Sequence, residues 1–495
     1  MATFVPSKYQ KAVYAFITKG HGNVVIDAVA GSGKSTTIVN ALRLIPSSKR
    51  VLFLAFNKSI VEELRRKVGN VSNVDIRTLH SLGASAITRS LKSAVNPDKY
   101  KAYVNDGIAT KSIFPYNDNL SQEERGDWKQ NIMALIDLGR VNLVKTPQQL
   151  TDLAYKHNLL LVDNEVTIAM RAIDWGIRNT SEIDFTDMIY FPCVKKIQLF
   201  KYDYVFIDEC QDLNAAQHTL FLQCIKEGGR FVAVGDPHQA IYGFAGADVD
   251  SFNLLKSLPH TGHMPLSVCY RCDADIIAKA KAIVPQIEAR DNAPSGVINY
   301  DSKLEEVKDG DMILCRVTKP LVALCMRYIS MGIKAYVKGR DIGANLVNLL
   351  KKTKRNSILE ALERLRRDLD KIAQKVKATT HCTDEEVREN EAYRAMEDKI
   401  GALEMLSDGC ADVMELITRI ENIFSDDAGS GICLSTVHKA KGLEADRVFI
   451  VCPEKFYLKS CMMVPWMAEQ ERNLEYVAIT RAKHYLGYIT DFSMD

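Results

Sequence analysis

The chain has 495 residues, with 64 lysines and arginines against 62 aspartates and glutamates, and a formal net charge of +2. A single hydrophobic core rarely serves so long a chain, so roughly two to four domains are expected. The near-neutral charge excludes a uniformly basic coat, so any nucleic acid must be held in a localised groove.

From the sequence we expect neither a membrane span nor a secretory leader. No apolar run approaches the ~20 residues that cross a bilayer, and residues 1–6 lack the charged and apolar regions of a signal peptide. The 12 cysteines are dispersed, mostly in apolar segments, as reduced core thiols are. Cys269 and Cys272 are spaced like half of a zinc site, but no second ligand pair follows at finger-like spacing. These features predict a cytoplasmic protein without structural zinc.

The first predicted element with a chemical signature is a strand followed by a loop of small residues. Residues 23–27 are apolar and β-branched, and the small residues from Ala28 to Gly33 let backbone N–H groups turn inward around an anion. Lys34 then begins a helix and would neutralise β- and γ-phosphate oxygens, while the Ser35 hydroxyl would ligate Mg²⁺. An ordinary glycine turn is the alternative, but Gly-Lys-Ser directly after a buried strand favours a nucleotide loop. The predicted nucleotide contacts here are Ala30, Gly31, Ser32, Gly33, Lys34, Ser35 and Thr36.

A second predicted strand, residues 204–207, ends in the carboxylate pair Asp208 and Glu209. In a parallel sheet the carboxyl end of such a strand lies beside the phosphate loop. Asp208 is therefore predicted to hold Mg²⁺, and Glu209 to orient and deprotonate the attacking water. An acidic pair is more often a solvated surface feature, but the preceding apolar strand and the following Gln211 and Asp212 favour a functional site.

Four further segments complete a set that occurs in one order along the chain. The six segments are AVAGSGKS from Ala28, FIDECQD from Phe206, GDPHQAIYGF from Gly235, YR at Tyr270, TVHKAKGLE from Thr436 and YVAITRA from Tyr476. Together they resemble a superfamily 1 DNA helicase of the UvrD/Rep (PcrA-like) type, in a compact form with a short second insertion. The resemblance covers roughly residues 8–483. It implies ATP and Mg²⁺ as cofactors and single-stranded DNA as the track, with 3′→5′ movement.

The resemblance also implies how the rest of a nucleotide would be recognised. Gln10 would read the adenine from upstream of the loop, and Tyr270 would stack on it. The carboxylate of Glu444, next to Gly442 and Leu443 in the fifth segment, would read the ribose.

Three polar residues outside the loop are expected to act on the γ-phosphate. Arg271 and Arg481 would approach it from a second domain as arginine fingers, stabilising charge in the transition state. Gln239 follows a predicted strand and would sense the γ-phosphate, while Tyr242 and Phe244 on the same loop would touch the nucleic acid. One loop would then couple hydrolysis to movement.

Aromatic rings and short polar side chains supply the candidate DNA contacts. Single-stranded bases stack on aromatic faces for roughly 1–3 kcal/mol each, without regard to sequence, and short polar groups suit phosphate oxygens. The candidates are the rings of Phe56, Tyr242 and Phe244, and the polar groups of Asn57, Thr78, His80 and His438. Ala245 stands where relatives commonly carry arginine, so one strand or coupling contact is expected to be missing.

The alternation of apolar strands and amphipathic helices predicts an α/β fold. We expect two RecA-like parallel-sheet motor domains, each interrupted by a mainly helical insertion. The predicted parts are 1–87 with 185–258 for the first, ATP-binding motor domain, 88–184 for its insertion, 259–340 with 430–495 for the second motor domain, and 341–429 for the second insertion.

The second insertion is the most distinctive segment. Residues 358–372 place apolar side chains at three- and four-residue intervals among alternating charges, which predicts an amphipathic helix suited to a hairpin or coiled coil. A break is expected at 378–383, with Thr383 capping the next helix opposite Glu386. The segment would serve either as a brace on the second motor domain or as an arm that contacts a protein partner or duplex.

These observations predict a monomeric ATP-dependent translocase and helicase that acts on single-stranded DNA and single/double-strand junctions. The alternative from another class is a nucleotide-gated recruitment factor that binds nucleic acid or a partner without unwinding. Rapid ATP turnover is favoured over a nucleotide-gated switch, because the sequence retains Glu209, Arg271 and Arg481. An RNA-directed helicase is the alternative within the enzyme class.

Overall fold

The protein is described from a computed structural model. The residues it describes are 5–69, 71–110, 122–157, 159, 161, 164–241, 251–380, 383–425, 431–457, 462 and 465–491. By their contacts, the residues group into two compact units. The first consists of Met1–Ala28 and Gly33–Leu266, and the second of Val29–Ser32 and Ser267–Asp495.

The first unit combines a large sheet and a two-stranded pair with helices that lie between the strands in sequence. Its helices are α1 (Lys8–Lys19), α2 (Lys34–Arg43), α3 (Lys58–Val68), α4 (Leu79–Leu91), α5 (Lys99–Thr110), α6 (Gln122–Val141), α7 (Pro147–Lys156), α8 (Glu165–Arg178), α9 (Asp187–Val194), α10 (Ala215–Leu222) and α11 (Ser251–Lys256). Its strands are β1 (Asn23–Ala28), β2 (Val51–Ala55), β3 (Val74–Thr78), β4 (Ala94–Val95), β5 (Glu182–Ile183), β6 (Tyr202–Ile207), β7 (Ile225–Gly235) and β8 (Thr261–Leu266).

The six-stranded sheet of this unit has the order β3-β2-β6-β7-β1-β8, and every neighbouring pair is parallel. Both of its faces are covered. Val25 packs into one hydrophobic cluster with side chains of α4 to α10, whereas Val24 and Ile26 pack into another with α1, α2 and α3. A sheet buried on both sides requires near-continuous apolar strands, which explains the composition of β1 and β2.

Strand β8 closes the first sheet by pairing with β1, with Ala28 opposite Leu266. The domain boundary expected between residues 258 and 259 falls before this strand, whereas the first unit runs to Leu266. The polar and Pro-containing sequence of β8 gives little strand signal, which is tolerable because β8 is an edge strand with only one neighbour in this sheet.

Helices α5 to α8 and the two-stranded pair β4–β5 make up most of the 88–184 segment. A buried ionic cluster ties this segment to α9. Asp187 accepts from Lys99 Nζ at 2.7 Å and from Arg140 Nη1 at 2.9 Å, and all three side chains are fully buried. Arg140 Nη1 also lies 2.8 Å from Asp184 Oδ1.

The second unit contains the other large sheet. Its strands are β9 (Val268–Cys269), β10 (Glu288–Ala289), β11 (Val297–Asn299), β12 (Met312–Cys315), β13 (Ala335–Lys338), β14 (Phe424–Ser425), β15 (Ile432–Thr436), β16 (Ala445–Val451) and β17 (Ala482–Ile489). Its helices are α12 (Ala274–Lys281), α13 (Lys319–Ser330), α14 (Arg340–Thr353), α15 (Ile358–Thr380), α16 (Asp384–Glu389), α17 (Glu391–Ser407), α18 (Val413–Ile423) and α19 (Pro465–Ile479).

The seven-stranded sheet has the order β11-β17-β16-β12-β15-β13-β14, again with parallel neighbours throughout, and a separate pair joins β9 to β10. The predicted α/β class with two large parallel sheets and many helices is therefore confirmed. None of the helices within the described ranges is both long and apolar enough to cross a bilayer.

Helices α14 to α18 make up most of the 341–429 segment, and α14, α15, α17 and α18 share a hydrophobic cluster with the second sheet. The amphipathic helix expected at 358–372 extends to Thr380 as α15, and Thr383 caps α16 in a capping box with Glu386. Asp398 of α17 accepts backbone hydrogen bonds from Thr318 and Lys319, each at 2.8 Å, at the start of α13. The segment is thus packed on the sheet and joined to it by hydrogen bonds.

Candidate active site and nucleic-acid interface

The loop between β1 and α2 has the backbone geometry of an anion cradle. Gly31 and Gly33 both have positive φ, 66° and 76°, and Gly33 is the residue before the first turn of α2. The unpaired N–H groups of a helix N-terminus favour a negative charge. Ser32 Oγ is buried, and it has no hydrogen-bond partner among the residues that the structure describes. A phosphate oxygen fits this orphaned hydroxyl and the loop around it.

Lys34 is the first residue of α2, and its ammonium lies 3.2 Å from Glu209 Oε1. Burial alone would lower the pKa of Lys34, but three nearby carboxylates, chiefly that of Glu209, raise it well above its ordinary value. The lysine is therefore charged at any physiological pH and provides a permanent cation beside the loop.

Glu209 follows β6 in the left-handed backbone region, with φ 52°. This conformation costs a non-glycine residue of order 1–3 kcal/mol, and such strain concentrates at functional sites. Two of the donors to its carboxylate belong to the described residues: Oε1 accepts from Lys34, and Oε2 accepts from Gln211 Nε2 at 2.6 Å. These hydrogen bonds fix the orientation of the carboxylate.

Asp208 lies at the end of β6 and is only 6% exposed. Burial, and then the adjacent charge of Glu209, raise the pKa of this carboxyl. A buried carboxylate oxygen suits a hard divalent cation, whose charge would offset the free-energy cost of burying the ionised group. The hydroxyl of Ser35, in the first turn of α2, supplies a second oxygen ligand. The donor chemistry therefore fits Mg²⁺.

A chain of hydrogen bonds continues from Glu209 to the end of β7. Gln211 Oε1 accepts from the backbone N–H of Asp236 at 3.0 Å, and Asp236 Oδ2 accepts from Gln239 Nε2 at 2.6 Å. A Cβ at Gly235 would lie 2.3 Å from Gln211 Oε1, so only glycine permits this approach. The sequence prediction gave Gln239 a role in the site, and it used Gln211 as a sign of function, but it assigned no role to Gln211 or Asp236. The signal available was that both lie just after the ends of the neighbouring strands β6 and β7.

Gln10 is buried in α1, and both ends of its amide are engaged. Its Oε1 accepts from the backbone of Ser7 at 3.0 Å, and its Nε2 donates to Thr37 Oγ1 at 2.9 Å. The hydrogen bond to Thr37 therefore fixes the side chain of Gln10 against α2. Its adenine-reading role remains a prediction.

In the second unit, two predicted arginine fingers lie close together. Arg271 Nε donates to Glu444 Oε2 at 2.6 Å, and its Nη1 donates to the Thr480 carbonyl at 3.1 Å. Arg481 is 1% exposed and donates to the carbonyls of Val477 and Leu443, each at 3.0 Å. Burial, and then the charge of Arg271, lower the pKa of Arg481 to about 10, so it stays charged at neutral pH.

The remaining nucleotide candidates of this unit include an exposed ring. Tyr270 is 41% exposed, and its backbone N–H donates to the Gly31 carbonyl at 2.8 Å. A Cβ at Gly31 would lie 2.6 Å from Arg271 Cβ, so the approach requires glycine. Gly442, with φ 89°, takes the left-handed turn before Glu444.

Tyr476 is a site residue that the sequence prediction missed. It is fully buried, and its hydroxyl accepts from the backbone N–H of Ala30 at 2.9 Å. Tyr476 was noted only as the first residue of the last segment, and nothing in its local pattern indicated a partner so far away along the chain.

The first group of nucleic-acid candidates follows two adjacent strands. Residues Ala55 of β2 and Thr78 of β3 are paired in register, so the residues after both strands lie at one edge of the sheet. There Phe56 is 44% exposed, and Asn57 caps α3 through its side-chain oxygen. Thr78 likewise caps α4, and His80 is exposed in the first turn of that helix.

The second group lies in the other unit. Cys315 of β12 and Thr436 of β15 are paired in register, so Arg316 and His438 follow their strands at the same edge. Burial, and then the charges of Arg316 and two lysines, lower the pKa of His438 to about 3, which indicates a positive potential there. The predicted contacts Tyr242 and Phe244, and Ala245 beside them, lie outside the described residues.

The glycine loop, the lysine that opens α2 and the carboxylate pair after β6 together define a P-loop protein that binds a nucleoside triphosphate. Comparison with known families agrees. Residues 9–259 match the UvrD/REP helicase N-terminal domain, and residues 431–489 match the UvrD-like helicase C-terminal domain. The chain belongs to the UvrD/REP helicase family.

Similar proteins include two F-box helicases and a bacterial helicase. F-box DNA helicase 1 of Gallus gallus is 25% identical over 94% of this chain and 47% of its own length. F-box DNA helicase protein 1 of Schizosaccharomyces pombe is 24% identical over 93% of this chain and 55% of its own length. ATP-dependent DNA helicase PcrA of Staphylococcus epidermidis is 20% identical over 95% of this chain and 81% of its own length. The chain thus spans about half the length of the F-box helicases.

Proposed function

We propose that the protein is an ATP-dependent DNA translocase and helicase that moves 3′→5′ along single-stranded DNA and unwinds duplex. The observation that carries the proposal is the hydrogen-bonded chain from Lys34 through Glu209 and Gln211 to Asp236 and Gln239. The names of the similar helicases support DNA as the nucleic acid and ATP as the fuel.

In this proposal the carboxylate of Glu209 accepts a proton from the attacking water, since two donors fix its orientation. Lys34 leaves Glu209 to neutralise phosphate oxygens. Ser35 and Asp208 would hold Mg²⁺, which when bound neutralises charge on the β- and γ-phosphates.

Gln239 is proposed to couple the two activities. Its amide is anchored on Asp236, which hydrogen-bonds to the same glutamine that holds Glu209. A displacement of Glu209 during hydrolysis would therefore change the hydrogen bonds of Gln239. This residue lies at the start of the loop that leads to Tyr242 and Phe244, where DNA contacts are proposed.

Arg271 and Arg481 are proposed to stabilise negative charge in the transition state, while Gln10, Tyr270 and Glu444 position the base and ribose. Arg271 must first exchange its bond to Glu444 for one to phosphate. That exchange lets Arg271 respond to the nucleotide, in keeping with a motor that opens and closes in each cycle.

We also retain the predicted division into two motor domains with two helical insertions, a monomeric motor and a cytoplasmic location as proposals. ATP turnover is to be measured with single-stranded DNA, with single-stranded RNA and with neither. We expect DNA to stimulate turnover strongly and RNA to do so less. Nucleotide binding without turnover would instead support a recruitment factor.

A further inference from the structure

The second unit contains a cavity of about 860 Å³ whose lining includes the predicted DNA contact His438. One wall is formed by residues that follow β12 and β15, among them Lys319 and His438. The opposite wall comes from the 341–429 segment and includes Arg394 and Lys399 of α17. The cavity therefore lies at the carboxyl edge of a parallel sheet, where ligands of such sheets bind.

The charge of the lining favours an anion. Lys319, Arg394, Lys399 and Lys455 line the cavity, and none of the four forms an ion pair within the described part of the chain. Three lining carboxylates, Asp370, Glu397 and Asp398, likewise form no ion pair there. Four unpaired cations against three unpaired carboxylates leave the lining with a positive excess.

Lys319 is held in place for such a role. Its backbone N–H donates to Asp398 of α17, and its side chain runs across the same helix at Gly401. A Cβ at Gly401 would lie 2.6 Å from Lys319 Cδ, so the glycine leaves room for the lysine chain. Burial, and then the charges of Arg316, Lys439 and Lys441, lower the pKa of His438, and of these three cations Arg316 lines the cavity.

A phosphodiester backbone matches this lining better than a single phosphate does. The free cations come from three parts of the fold, α13, α17 and the turn after β16, so they are spread around the cavity. Basic side chains spread along a groove track the repeating charges of a single strand. A cavity of this volume admits a short stretch of nucleotides.

We propose that the 341–429 segment forms one wall of a binding site for the backbone of single-stranded nucleic acid, with Arg394 and Lys399 contacting phosphates together with Lys319. The inference rests on the proposed function, because it names part of the track of the same motor. It assigns to the segment direct contact with the strand in addition to its packing on the sheet.

The test measures binding of fluorescent oligothymidylate to the full chain by anisotropy across a range of salt concentrations. Arg394→Ala and Lys399→Ala should each weaken binding several-fold on every sequence. Each should lower the salt slope by about 0.7, the contribution of one phosphate contact on a single strand. Arg394→Lys should recover most of the loss, because a phosphate contact needs mainly the charge.

Arg367→Ala is the matched control, since Arg367 is an exposed arginine of α15 that does not line the cavity. Its affinity and salt slope should equal those of the unaltered protein. An equal loss in Arg367→Ala and Arg394→Ala would contradict the proposal, as would competition by polyglutamate as effective as by an oligonucleotide of equal charge.

Cross-linking of the unaltered protein to a 4-thiothymidine oligonucleotide gives a result that does not depend on the folding of the variants. Cross-links to peptides from α17 are expected, and their absence beside cross-links elsewhere would overturn the inference. Strand binding by the unaltered protein and by Arg394→Ala distinguishes a failure of this inference from a failure of the proposed function. If the unaltered protein binds the strand and Arg394→Ala binds equally well, only this inference fails. If the unaltered protein binds no single strand, the proposed function fails as well.

Discussion

The ammonium of Lys34 lies 3.2 Å from the carboxylate of Glu209, so the proposed phosphate ligand and the proposed base form an ion pair. The proposed mechanism requires this pair to open, because Lys34 must turn to phosphate oxygens while Glu209 turns to water. Gln211 would still donate its hydrogen bond to Glu209 when the ion pair opens.

Glu209→Gln should keep nucleotide affinity while lowering ATP turnover by about 10²–10⁴-fold, because the water loses its base and the metal ligands stay. Nucleotide titration and steady-state ATPase measurements check both parts. Near-normal turnover in this variant would show that Glu209 is not the base.

Gln211→Ala should lower kcat more than it raises KM, since it releases Glu209 Oε2 and leaves the buried N–H of Asp236 without its acceptor. Stability should fall by about 1–3 kcal/mol for the same reason. Gln223→Ala, at the end of α10 outside this network, is the control and should change neither quantity. Equal kinetics in the two variants would refute a role for Gln211 in positioning the base.

Arg271→Ala should reduce kcat far more than nucleotide affinity, because the guanidinium acts as charge develops in the transition state. Arg481→Ala should do the same and also lower the melting temperature, since Arg481 is 1% exposed and bonded to two carbonyls. Equal losses in affinity and turnover for Arg271→Ala would point to an ordinary phosphate anchor.

Arg140→Ala should destabilise the first unit by about 3–5 kcal/mol, because it leaves the fully buried Asp187 with one fewer cation. Lys101→Ala breaks only the exposed pair with Asp98 and should cost no more than about 1 kcal/mol. Urea denaturation of both variants measures the difference. Similar stabilities would mean that the cluster contributes little to folding.

The sequence predicted the phosphate loop well because its parts are local. A buried strand, small residues and Lys34 at a helix start are contiguous, and the structure has β1, two left-handed glycines and α2 in those places. The capping box at Thr383 was predictable for the same reason.

Features that depend on distant partners could not be predicted in this way. Tyr476 and Ala30 are 446 residues apart in the chain, and only the folded backbone joins them. Gln211 gains its position from the neighbouring strand β7 through Asp236, and β8 pairs with β1 despite a weak strand pattern. The cavity against α17 likewise depends on the packing of two segments that are far apart in sequence.

Unwinding of duplexes with a 3′ or a 5′ single-stranded tail shows directly whether the protein is a 3′→5′ helicase. With ATP and Mg²⁺, the unaltered protein should separate the 3′-tailed duplex, and Glu209→Gln should bind the same substrate without separating it. Strong DNA-stimulated ATPase with no strand separation on either substrate, or separation that proceeds without ATP, would contradict the account.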